Sequence, residues 1–115
     1  MKDKIIEQYI NAWNSEDSKD REEFLRNSFD KNGRYTDPHI PEPVQNIHEM
    51  EGIIKIFRSR LPHKLKLMGG IEYHSYVFRF KWQMENNGSV LSNGTFVGEF
   101  NTENRLTNII CFIDQ

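Results

Sequence analysis

YVFRFKWQMENNG, residues 76–88, alternates bulky apolar and polar side chains: Tyr76, Phe78, Phe80 and Trp82 fall on one face, Arg79 and Lys81 on the other. A period of two is the signature of a strand with one buried face, and Asn86-Asn87-Gly88 supplies residues that tolerate the backbone of a tight hairpin. The same period continues outward. Leu65 and Leu67 precede the stretch, and Phe96, Phe100, Leu106, Ile110 and Phe112 follow it. The C-terminal half is therefore predicted to form four long antiparallel strands, joined at His74–Ser75, at the Asn86-Asn87-Gly88 turn and at 102–104. Gly69-Gly70 is expected to relieve a bend in the first of them. Arg79 and Lys81 should face water or a partner subunit.

Upstream the period changes to that of a helix. Ile5, Ile6, Tyr9, Ile10 and Trp13 recur at spacings of three and four, as do Ile47, Met50, Ile53, Ile54, Phe57 and Leu61. A shorter helix is expected from Ser18, with Phe24, Leu25 and Phe29 on its apolar side. Three helices followed by a run of strands point to an α+β domain spanning residues 1–115, the helices packed on one face of a mainly antiparallel sheet.

Composition narrows the classes of function. The net charge is −2 with no basic stripe, so neither nucleic acid nor a membrane surface is an expected partner. A single cysteine, Cys111, excludes an internal disulfide framework and fits a reducing, cytoplasmic compartment. The N-terminal stretch MKDKIIEQYINAW lacks the long apolar run of a signal peptide or a membrane span. His39, His48, His63 and His74 lack metal-ligand spacing, so no metal and no cofactor are expected. The last strand carries apolar residues on both faces, Ile109, Cys111 and Ile113 against Leu106, Ile110 and Phe112, which predicts a homodimer through the sheet face.

The chemistry is expected around RYTDPHIPEP, residues 34–43. Asn32-Gly33 gives a turn signal, and Asp37 precedes Pro38, which disfavours helical backbone and ends a short strand. Tyr35 and His39 flank the carboxylate, and three prolines make the following loop rigid.

The element order, with YTDP closing the first strand and GTFVGEFNTENRLTNIICFID closing the chain, resembles the cone-shaped nuclear transport factor 2-like fold with its strongly curved sheet. Within that fold it is similar to the SnoaL-like proteins. The likeness runs from QYINAWNSED to the C-terminus. Compared with ketosteroid isomerase, QYINAWNSED is similar to the helix carrying the oxyanion tyrosine, which falls on Tyr9. YTDP resembles the segment carrying the general base, which falls on Asp37. The isomerase's oxyanion aspartate falls on Phe96 and a supporting tyrosine on Phe57, and neither can donate a hydrogen bond.

The resemblance implies a pocket for a small hydrophobic molecule, with Asp37 and Tyr9 as candidate catalytic groups and Trp13, Tyr35, His39, Phe57, Trp82 and Phe96 as candidate ligand contacts. Three functions are compatible with it: a binding protein, a cofactor-independent isomerase, cyclase or dehydratase working by proton abstraction, and a non-catalytic dimerisation or interaction domain. Fold alone does not choose between them.

Overall fold

A computed structural model describes residues 2–114. Three helices, α1 (Lys2–Asn14), α2 (Ser18–Arg26) and α3 (Ile47–Arg60), accompany five strands: β1 (Phe29–Thr36), β2 (Lys64–His74), β3 (Val77–Asn86), β4 (Ser89–Phe100) and β5 (Leu106–Ile113). The sheet order is β1-β5-β4-β3-β2. Three neighbouring pairs are antiparallel and β1 runs parallel to β5. This is the expected α+β architecture, three helices on a curled, mainly antiparallel sheet. No described helix is long and apolar enough to cross a membrane.

Local chemistry sets the helix ends. The Asp17 side chain caps α2 by accepting from the Lys19 backbone N–H at 2.8 Å. Asn46 caps α3 by accepting from the Glu49 N–H at 2.8 Å, and Glu49 Oε1 accepts in return from the Gln45 N–H. This near-reciprocal pairing satisfies backbone donors at the start of α3. Leu61, before Pro62, closes α3.

In the sheet, Phe78, Phe80, Trp82 and Met84 of β3 point inward beside Phe96 and Phe100 of β4 and Ile109 and Cys111 of β5. The helices cover this inner face with Ile6, Tyr9, Leu25, Met50 and Ile54. Arg79 and Lys81 lie on the outer face, as the alternation requires. The register slips between Met68 and Glu72, where Gly69 takes φ +80°, so the paired glycines do mark a bend.

Two expectations change. Asn32-Gly33 does not form a chain reversal. β1 runs through it, and the Asp30 carboxylate accepts from the Asn32 N–H at 3.0 Å, so the turn chemistry yields a register shift against β5 between Phe29 and Arg34. Tyr76 does not join the inner row of β3; it sits half exposed in the β2–β3 turn, beside Ser75 at φ +54°.

Candidate functional site

Asp37 follows the last residue of β1, where Pro38 stops the ladder. Its two carboxylate oxygens are both engaged: Oδ2 accepts from the Tyr35 hydroxyl at 2.7 Å and Oδ1 from the His39 backbone N–H at 2.7 Å. The second bond is an Asx-type turn that folds the proline-rich loop. The Tyr35 N–H and C=O then pair with Val44, each at 3.0 Å, and bring that loop back alongside β1. A carboxylate with both oxygens hydrogen-bonded is fixed in orientation, and each oxygen keeps a lone pair for a further partner.

This carboxylate borders a cavity of about 350 Å³. Trp13, Tyr35, Asp37, His39, Phe57, Trp82 and Phe96 all line it, so seven of the eight residues singled out from the sequence meet at one place. They come from α1, β1, the loop, α3, β3 and β4. The Trp13 ring packs against Tyr35 at 5.8 Å and edge-on to Phe57 at 5.9 Å, and Trp82 packs against Phe96 at 5.8 Å. Gly94 stands opposite Trp82 in the ladder, and a Cβ there would lie 2.4 Å from the indole and 2.0 Å from the Phe112 carbonyl oxygen. Only glycine leaves that indole its seat.

Tyr9 is the exception. It is fully buried on α1, with its ring edge-on to Phe96 at 5.5 Å and stacked on Phe29 at 6.4 Å, and it does not line the cavity. Helical spacing places Tyr9 and Trp13 on one face, but only Trp13, one turn further along, borders the cavity. Burial pushes the Tyr9 hydroxyl well above the ordinary tyrosine range, with the nearby Trp13 indole pulling the other way. Tyr35 is raised by burial too, with its neighbours Tyr9, Cys111 and Asp37 acting in the same direction, so it stays a neutral donor to Asp37.

Other cavity residues carry no signal in the sequence that would single them out. Cys111 borders it from β5; burial pushes its thiol up to about 12, although the Tyr35 hydroxyl and the Trp82 indole beside it act in the opposite sense. It remains a thiol at neutral pH, which argues against a nucleophilic role. Ile53 and Arg60 share the face of α3 that carries Phe57, at helical spacings of four and three, so the α3 face was legible even though its role was not. Ile56 and Leu91, 51% and 40% exposed, mark the mouth between α3 and the β3–β4 hairpin, and no local pattern brings those two elements together.

Three buried polar atoms, Tyr9 Oη, Trp13 Nε1 and Trp82 Nε1, make no close hydrogen bond; the Trp13 indole lies beside the Tyr9 hydroxyl and the Trp82 indole beside the Cys111 thiol. Both indoles belong to cavity-lining residues.

No family model matches the chain, and neither does any curated protein. Solved structures do. A proposed isomerase of the SnoaL-like family from Agrobacterium tumefaciens superposes with a TM-score of 0.90 at 29% identity, covering 97% of this chain and 96% of that one. The fold is the nuclear transport factor 2-like fold, and SnoaL-like proteins are among those it matches. A proposed SnoaL-like polyketide cyclase from Jannaschia sp. CCS1 matches with a TM-score of 0.78 at 9% identity, over 98% of this chain and 85% of that one. A protein of unknown function from Exiguobacterium sp. 255-15 matches at 0.75 and 13%, over 96% and 98%. SnoaL-like neighbours thus include proteins described as isomerases and as cyclases, and the shared cone-shaped frame is what they have in common with this chain.

Proposed function

We propose that the chain binds a small hydrophobic molecule in the cavity between α1, α3 and the sheet. The observation that carries this reading is the cavity itself: about 350 Å³, walled by Trp13, Phe57, Trp82 and Phe96, with the hydrogen-bonded Asp37 carboxylate at its edge. An apolar pocket with few, fixed polar groups is the usual form of a small-molecule site.

The placement of Asp37 favours a second reading, a cofactor-independent isomerase, cyclase or dehydratase. Here Asp37 removes a proton next to a carbonyl, and Tyr35 and the His39 N–H hold the carboxylate in line. The isomerase description of the Agrobacterium neighbour supports the same class. Native mass spectrometry and thermal shift against lipophilic carbonyl compounds test the binding. A ligand at a hundred times its Kd should stabilise the fold by about 2.7 kcal/mol. For any turned-over ligand, Asp37→Asn should retain binding and lose turnover. Undiminished turnover in that variant removes the general base, and a screen without a single stabilising compound removes the binding reading.

A homodimer through the outer sheet face belongs to this proposal. Phe112, 55% exposed, and Ile110 lie on that face with Val97, and Val77 and Met68 extend the exposed apolar surface. Light scattering at micromolar concentration should give twice the 13.7 kDa chain mass, and Phe112→Asp should halve it. A wild-type monomer at that concentration overturns the dimer. A cytoplasmic location accords with the one free, buried thiol, Cys111.

A further inference from the structure

The ammonium of Lys2 lies among three aromatic rings. Its Nζ stands 5.3 Å from the centre of the Tyr76 ring, 5.8 Å from that of Phe100 and 5.9 Å from that of Tyr73, and it donates to the Ser75 carbonyl at 3.0 Å. Each ring is close enough for its negative face to attract a cation. The position is unfavourable for a lysine on other grounds. Lys2 begins α1, where the helix dipole is positive, and a lysine stem ordinarily carries its charge out into water.

Contacts other than those of Lys2 hold the cage. The Tyr73 hydroxyl donates to the Asp3 carboxylate, which fixes one wall. Phe100 is 4% exposed and packs on Phe78 at 5.1 Å, and its N–H donates to the Tyr76 carbonyl at 2.8 Å, which ties the second wall to the third. Ser75, at φ +54° in the β2–β3 turn, presents its carbonyl to the same space. The Tyr76 ring is half exposed, so the cage opens to water along a groove that Asp3 and Asn104 also border. None of the residues lining this groove borders the cavity at Asp37, whose mouth lies toward the β3–β4 hairpin, at the other end of β3.

We propose that Tyr73, Tyr76, Phe100 and the Ser75 carbonyl form a second binding site, for a small protonated alkylamine, and that Lys2 occupies it as a tethered stand-in which such a ligand displaces. The groups set the class. Three ring faces call for positive charge, and the carbonyl calls for an N–H. A neutral alcohol satisfies only the carbonyl, and an anion meets the Asp3 carboxylate. A protonated alkylamine matches every group, and in solution it does not bear the dipole penalty that α1 imposes on Lys2.

The test uses n-butylammonium, which copies the lysine side chain, and 1-butanol, its uncharged counterpart. Lys2→Ala empties the cage without touching the core. The ¹H–¹⁵N signals of Tyr76 and Phe100 should report butylammonium binding about tenfold tighter in that variant than in the unmodified protein, because a tethered occupant competes there. Butanol should leave those signals in place, and adding Tyr76→Leu should remove most of the butylammonium affinity. In the unmodified protein the Lys2 methylene signals, displaced by the surrounding rings, should return to free-lysine positions as butylammonium saturates, a readout that needs no variant. Equal response to the two compounds, no gain on removing Lys2, or affinity untouched by Tyr76→Leu overturns the proposal and leaves Lys2 as a fixed clasp between α1 and the β2–β3 turn. The cavity reading is unaffected by either result, since the two sites share no residue.

Discussion

Among the described residues the buried charges between the helices are paired, whereas the Tyr9 hydroxyl and the Trp13 and Trp82 indoles make no close hydrogen bond. Arg21 of α2, 5% exposed, donates from Nε to Glu51 Oε2 of α3 at 2.9 Å and from Nη1 to the Ser15 carbonyl at 2.9 Å. Arg58 of α3 reaches back to the Trp13 carbonyl of α1 at 2.7 Å and to the His63 carbonyl at 3.0 Å. The contrast runs through a single residue. Trp13 has its backbone oxygen held by Arg58, while its indole N–H has only the Tyr9 hydroxyl nearby, without a close hydrogen bond. The helix network is completed polarity that fixes α1, α2 and α3 to one another. The cavity walls are polarity left open. Proteins depart from full satisfaction mainly where function requires it, so the difference separates what holds the fold from what meets a ligand.

The helix side should break hardest. Glu51→Ala leaves the Arg21 guanidinium buried without its carboxylate, and removing one partner of a buried pair typically costs about 3–5 kcal/mol. Urea unfolding should show that loss as a lower midpoint with an unchanged slope. Replacing both partners with apolar residues, Arg21→Met with Glu51→Leu, should restore most of it. A loss below about 1 kcal/mol in the single variant would mean that this pair is not what ties α2 to α3.

His63 tests the same side through pH. It is 7% exposed; its Nδ1 lies 2.9 Å from the Leu61 carbonyl oxygen and its Nε2 3.1 Å from that of Trp13, with Arg58 Nη1 at 3.4 Å. Burial holds its pKa below the ordinary 6.5, and the Arg58 charge acts in the same direction. The unfolded chain therefore takes up a proton before the folded one does. Stability from this residue is complete above about pH 6.5 and declines as the pH falls toward the lower folded value, by at most about 1.4 kcal/mol per pH unit. Unfolding midpoints measured from pH 7.5 to 5 should fall more steeply in the native sequence than in His63→Asn. Parallel curves would show that the ring is not buried neutral.

Which of these regions could be read beforehand follows from the range of the interactions involved. The strands declared themselves through neighbours two apart, as in Phe78, Phe80 and Trp82, and through Asn87 and Gly88, whose positive φ values make the hairpin. The strand end at Asp37 was legible because proline acts on the residue before it, whereas its place at a pocket was implied by the resemblance. Asn32-Gly33 misled because its turn chemistry was absorbed as a register shift once β1 paired with β5, a contact between residues more than seventy positions apart. The parallel sense of that pair leaves no local trace either. Tyr9 and Trp13 were both expected at the pocket, one as a donor and one as a wall, because helical spacing fixes a face and not a depth. How far along α1 the cavity begins is set by the loop behind Asp37 and by the bend of the sheet, and neither is encoded in α1.

Tyr9 also provides the smallest and most discriminating effect. Its hydroxyl is buried with no partner, while its ring contacts Phe29 and Phe96. Tyr9→Phe keeps the ring and removes only the orphan oxygen. Deleting a partnered buried hydroxyl would destabilise by about 1 kcal/mol; deleting an unpartnered one should leave stability unchanged or raise it by up to about 1 kcal/mol. Because Tyr9 does not line the cavity, affinity for a cavity ligand should also stay within about twofold. A clear destabilisation would mean that the hydroxyl is satisfied in solution and that Tyr9 belongs with Arg21 and Arg58 on the completed side. If stability holds and turnover of a substrate falls, the hydroxyl donates in the transition state after a shift of the Trp13 wall, as the isomerase resemblance implied. If stability, affinity and turnover all hold, the hydroxyl serves neither the fold nor the ligand, and the divide between fold and site runs through α1 between residues 9 and 13.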